Sequence, residues 1–159
     1  MKITVVCVGK SKEQFFTDAV NEYVKRLTRY VKPEIIQVED EKTPENASEA
    51  AVLAIKRKEG ERILKKIPDD AYVFAMAIEG SELSSVELAD RINSLALSGR
   101  SHIVFVIGGS LGLAPEVMSR ADFKLSFGRP TFPHMLFRVM LVEQIYRSYR
   151  IINGEPYHK

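Results

Sequence analysis

With 159 residues and a formal net charge of +2, the chain has the size of one ordinary domain with a single core, and too little net charge to argue for nucleic-acid binding by itself. Its 45% apolar and 28% charged residues exclude a disordered or fibrous class. No apolar run approaches the roughly 20 residues of a membrane span, and the first residues lead straight into a strand pattern, so the expected location is cytoplasmic.

Residues 2–8 are rich in β-branched side chains and stop at Gly9, which predicts a strand. Cys7 lies inside it. As the only cysteine it makes no internal disulfide, and with no cation beside it in sequence it reads as a buried, unreactive thiol. Ser11 and Gln14 have capping-box spacing ahead of apolar residues at helical period, predicting a helix that closes near Tyr30. Residues 34–39 predict a second strand, and 40–46, polar and holding Pro44, an exposed loop. Residues 48–67 predict a helix with a weak apolar stripe beside a basic face of Lys56, Arg57, Lys58, Arg62, Lys65 and Lys66. A solvated surface accounts for that face more simply than RNA contact.

Residues 72–78 are apolar almost throughout and predict a central strand that turns at Glu79-Gly80. Ser84 and Glu87 have capping-box spacing before a helix over 86–97. The run 103–107 predicts another doubly covered strand ending abruptly at Gly108-Gly109, and 123–127 a further strand followed by a Gly/Pro loop over 128–133. The closing helix, 134–152, is apolar almost all round in its first half, which predicts burial on more than one side and, economically, a second subunit. Its Glu143 and Arg147 have the favourable i,i+4 order. The tail after it holds Pro156-Tyr157-His158-Lys159; tails usually fray, but a turn, an aromatic, an imidazole and a cation in so short a stretch also suit a contact, and both readings stand. Strands alternating with helices predict an α/β domain over 1–159 around a mainly parallel sheet flanked by helices, without linker or internal repeat.

Ligands of open α/β sheets collect beyond the carboxyl ends of the strands, here residues 76–80, 108–112 and 127–133. The glycine loop lacks both the dinucleotide fingerprint and the Gly-Lys-Ser/Thr ending of a P-loop, which disfavours NAD and ATP. Glycines without a phosphate signature suit a nucleoside held flat against the main chain, although tight turns alone would also explain them. The three histidines and one cysteine have no metal-ligand spacing, so no metal is expected.

The combination Ile107-Gly108-Gly109-Ser110-Leu111-Gly112-Leu113, the segment Phe127-Gly128-Arg129-Pro130-Thr131-Phe132-Pro133-His134, then Arg138, Glu143-Gln144-Ile145-Tyr146-Arg147 and the terminal Pro156-Tyr157-His158-Lys159 closely resembles the RlmH family. These are small SPOUT-class methyltransferases that modify a pseudouridine in large-subunit ribosomal RNA. The resemblance spans the chain. Met76 stands where some relatives carry leucine, a change that preserves volume. It implies a SPOUT-type fold with a deep C-terminal trefoil knot, which periodicity does not predict. It also implies a homodimer with S-adenosyl-L-methionine bound beside the subunit interface, in contact with Met76, Gly108 and residues 127–132.

Methyl transfer to the N3 of pseudouridine requires loss of an imide proton, so a general base or a cation stabilising the anion is expected. The candidates are His158, Tyr157 and Arg147. His134, at a helix start that favours its neutral form, is a candidate for catalysis or for ordering the cofactor loop. For Arg147 an ion pair with Glu143 is the competing role, and His102 reads as structural. So small a domain is expected to act on the assembled large subunit or 70S ribosome. The alternatives are a SPOUT enzyme with another RNA target, a transfer-RNA base or ribose, and a dimeric nucleotide- or RNA-binding protein without activity.

Overall fold

The computed structural model describes residues 1–159. Five strands and five helices follow one another as β1 (Lys2–Val8), α1 (Gln14–Leu27), β2 (Lys32–Val38), α2 (Glu49–Leu64), β3 (Tyr72–Glu82), α3 (Ser85–Leu97), β4 (His102–Ile107), α4 (Pro115–Arg120), β5 (Phe123–Ser126) and α5 (His134–Ile152). The strands form one sheet in the order β2-β1-β4-β3-β5, and every pairing is parallel. A parallel sheet must be covered on both faces, and strict alternation supplies both. Ile103, Phe105 and Ile107 of β4 join the core beneath α1, α3 and α5, while Val104 and Val106 join the opposite core beneath α2 and α4. Cys7 is fully buried in the first of these, and burial pushes its thiol up, as an inert core residue requires.

The capping predicted from sequence is present on one helix and absent on another. Ser84 and Glu87 close a reciprocal capping box on α3, and the Ser48 hydroxyl accepts from the Ala51 N–H at the start of α2. The spacing of Ser11 and Gln14 forms no such box. Helix α1 starts later, with Glu13 as its N-cap and no side-chain cap, because the Ser11 hydroxyl donates to the Glu13 carbonyl and the Gln14 amide to Asp18. His102 and the Thr4 hydroxyl lie 2.8 Å apart across β1 and β4, a structural contact.

The expected turn at Glu79-Gly80 is also corrected. β3 runs on to Glu82, with a shift of register in which both Met76 and Ser81 face Leu125 of β5, so residues 77–80 bulge from the ladder. Gly80 is needed there, since a Cβ would lie 2.6 Å from the Lys124 carbonyl oxygen.

Candidate active site

The carboxyl ends of β3, β4 and β5 open into one cavity of about 390 Å³. Its walls are Met76 to Glu79 from β3 and its bulge, Ile107 to Leu113 from the glycine turn, and Phe127, Gly128, Pro130, Thr131 and Phe132 from the turn after β5. His134 and Phe137 from the start of α5 close it, joined by Lys56 from α2 and Met118 from α4.

Each turn is held by a specific contact. Ser126 is buried at the end of β5, where its hydroxyl donates to the Ile78 carbonyl at 2.8 Å and accepts from the Gly128 N–H at 3.1 Å. One side chain thus ties the β3 bulge to the turn after β5. Gly128 takes a φ of +109°, open to glycine and strained for other residues. In the other turn the Gly112 N–H bonds back to the Gly109 carbonyl at 3.0 Å, and a Cβ on Gly108 would sit 2.8 Å from the Gly112 carbonyl carbon. The main chain therefore forms the wall there. Phe137 braces the second turn, with ring centroids 5.1 Å from Phe127 and 6.2 Å from Phe132.

Of the residues singled out by sequence, Met76, Gly108, Phe127, Gly128, Pro130, Thr131, Phe132 and His134 line this cavity. Arg129 is exposed and does not. Arg147, Tyr157 and His158 form a separate cluster on α5 and the tail. Arg147 donates to Glu143 at 2.5 Å, lies 4.7 Å over the Tyr157 ring, and has its Nη1 3.2 Å from His158 Nδ1. The Tyr157 hydroxyl donates to Glu143 at 3.0 Å, and Arg150 holds the Pro156 carbonyl at 2.9 Å. The tail is anchored on its own helix, and the Glu143–Arg147 pair is formed.

Protonation states separate the candidates. Burial first, then the Arg138 guanidinium, holds His134 below the usual imidazole value, so it is neutral at pH 7 and can accept a proton. Burial and the Glu143 carboxylate push the Tyr157 phenol up, which makes it a hydrogen-bond donor rather than a base. The hydrogen bond to Glu143 keeps Arg147 cationic.

The chain matches the family described as "Predicted SPOUT methyltransferase" over residues 1–158. It is 58% identical to the ribosomal RNA large subunit methyltransferase H of Clostridium tetani and 60% identical to that of Bifidobacterium adolescentis, each over 159 residues and the whole of both chains. The chain belongs to the SPOUT methyltransferase family. A protein named putative ribosomal RNA large subunit methyltransferase H from Methanococcus maripaludis is 56% identical, again over the full length of both.

Two solved structures share the fold. A probable methylase family protein of Haemophilus influenzae superposes with a TM-score of 0.52 at 13% identity, covering 99% of this chain and 70% of that one. A structure described as "Structural insights into the 2-OH methylation of C/U34 on tRNA" superposes with a TM-score of 0.52 at 18% identity, covering 97% and 98%. At such identities these two bear on the fold alone. In this SPOUT chain Lys56 and Met118 line the cavity as well, and sequence reading did not assign them to it. The basic run on α2 hid Lys56, because a helix pattern does not say which of its lysines turns towards the sheet.

Proposed function

We propose that this protein transfers a methyl group from S-adenosyl-L-methionine to N3 of a pseudouridine in large-subunit ribosomal RNA, as a homodimer acting on the assembled ribosome. The observation that carries the reading is that all three strand-end turns close on one cavity, in a chain whose full-length relatives bear the name of that ribosomal RNA methyltransferase. The cavity fits the donor. Its volume lies within the roughly 300–1,000 Å³ of small-molecule sites, its walls are about half apolar, and the glycine turn offers bare main chain against which an adenine ring can lie. Met76, Gly108, Phe127 and Gly128 to Phe132 would hold the donor, with Arg129 contributing main chain only. When bound, the sulfonium supplies an electrophilic methyl group.

The remaining chemistry falls to side chains of the protein. His134, neutral and in the cavity wall, is suited to accept the imide proton of the target base or to fix the neighbouring turn. Arg147 is suited to stabilise the anion that proton loss creates, with Tyr157 donating a hydrogen bond and His158 beside them. These three do not line the cavity of their own chain, which favours a dimer in which the tail cluster of one copy meets the cavity of the other. The apolar face of α5 supports the same reading, since Leu136 is 39% exposed and Val139 and Met140 line an open groove. The trefoil knot implied by the family likeness belongs to this proposal too.

Calorimetric titration with S-adenosylmethionine should give a single site per chain, and donor at 100 times its Kd should stabilise the fold by about 2.7 kcal/mol. Ribosomes that lack the modification should gain one methyl group at pseudouridine N3, located by mass spectrometry of nuclease fragments. Absence of donor binding, or a methyl group found on ribose or on transfer RNA, would overturn the assignment.

A further inference from the structure

Glu59 is the one acidic side chain among the buried residues, 5% exposed on a helix whose neighbouring positions are mostly charged and open. A carboxylate is rarely buried without a partner that holds it. Its Oε2 accepts the Glu41 N–H at 3.0 Å, and Glu41 pairs in turn with Arg62, which also donates to the Glu39 carbonyl at 2.9 Å. The other oxygen faces the glycine turn. A Cβ added to Gly109 would lie 2.8 Å from Glu59 Oε1 and 3.3 Å from Val8 Cγ1, so the carboxylate sits directly against the main chain of that turn.

The next residue is placed as tightly at the other end of the same connection. A Cβ on Gly60 would lie 3.0 Å from the Ala114 Cβ and 3.2 Å from Val117 Cγ2, so the backbone of α2 is seated on α4. Two consecutive buried residues of α2 therefore brace the link between β4 and α4, Glu59 where it leaves the strand and Gly60 where it enters the helix. Burial pushes the Glu59 carboxyl up while the Glu41 N–H opposes that shift.

We infer that Glu59 is a positioning residue for the methyl-donor site, a carboxylate that sets the Gly108–Gly112 turn from behind and links it to the segment at residues 39–41. The inference rests on the donor reading of the cavity. Glu59 does not line that cavity, so its effect on donor affinity passes through Gly109. Its shape and its acceptor oxygen matter for this task, and its charge does not.

The test is titration calorimetry with S-adenosylmethionine on the full chain, with melting temperature measured in parallel. Glu59→Ala and Gly109→Ala should each weaken donor binding by about tenfold or more, while Glu59→Gln, which keeps an acceptor for the Glu41 N–H, should stay within about threefold. Adding Glu59→Asp to Gly109→Ala withdraws the carboxylate by one methylene and should restore part of the loss, a coupling that survives if Glu59→Ala alone fails to fold. A folded Glu59→Ala protein with unchanged affinity and only a lower melting temperature would overturn the inference. So would a double variant no better than Gly109→Ala. Failure of the unaltered protein to bind the donor would instead overturn the reading of the cavity itself.

Discussion

At the scale of single residues, His134 has the most informative titration. Its pKa is depressed in the folded protein relative to the unfolded chain, so the unfolded state takes up its proton first as the pH falls. Its contribution to stability is therefore full above the ordinary imidazole value of about 6.5 and is lost as the pH falls through the depressed folded value. Melting temperature measured from pH 8 down to pH 5 should decline on the acid side of about 6.5, and His134→Gln should flatten part of that decline. His102 adds a shift of the same sign, caused first by burial and then by Lys2, so the part that remains belongs to it. If His134 is also the base, the acid limb of the rate profile lies below pH 6.5 and disappears in the same variant, leaving a slower, flatter rate.

Helix α2 shows how an element can look uniform in sequence and be divided by packing. Arg57 is paired with Glu116 at 3.0 Å, Arg62 with Glu41, and Lys56 is turned to the cavity, which leaves Lys58, Lys65 and Lys66 as exposed cations. A solvated helix face accounts for these three without an RNA contact. Reversal of these three to glutamate should change the KM for ribosomes by less than about threefold and leave donor binding intact. Arg147→Ala should do something different. It removes the contacts to Glu143, Tyr157 and His158 that fix the tail, and single-turnover assays should show transfer slower by about an order of magnitude or more with donor binding unchanged. A large loss from the lysine reversals, seen as a reduced salt slope of ribosome binding, would move the RNA surface to α2.

At the scale of the whole molecule, the outward face of α5 is where the proposed second copy is tested. Leu141, Val142, Ile145, Tyr146 and Tyr149 are buried by the chain's own core, whereas Leu136 is exposed and Val139 and Met140 are left partly open beside Leu83 and Phe127. Helix α5 packs between α1 and α3 over the sheet, so its own chain already buries it on more than one side, and the face that holds Leu136 and Met140 is what remains partly open. If the proposed dimer builds the site, Leu136→Glu with Met140→Glu should shift the protein to a monomer in analytical ultracentrifugation, keep the far-UV spectrum, and abolish transfer by parting the tail cluster from the cavity it is proposed to meet. A monomeric variant with full activity would remove the second copy from the site.

The near-continuous apolar runs of β1, β3 and β4 and the glycine and proline runs at 108–112 and 128–133 are local patterns, and they determined by themselves the α/β class, the parallel sheet, and which loops form the cavity. The capping box on α3 was legible for the same reason, since its partners lie three residues apart. Tertiary structure alone decided the rest, because it turns on contacts between segments far apart in the chain. Residues 77–80 bulge because β5 pairs with β3 on both sides of them. Ser126 reaches back 48 residues to Ile78, and Glu59 meets Gly109 across the three elements β3, α3 and β4. Arg129, grouped by sequence with its cavity-lining neighbours, is exposed and outside the cavity lining. Periodicity reports which face of an element is buried, and only packing decides what that face is buried against.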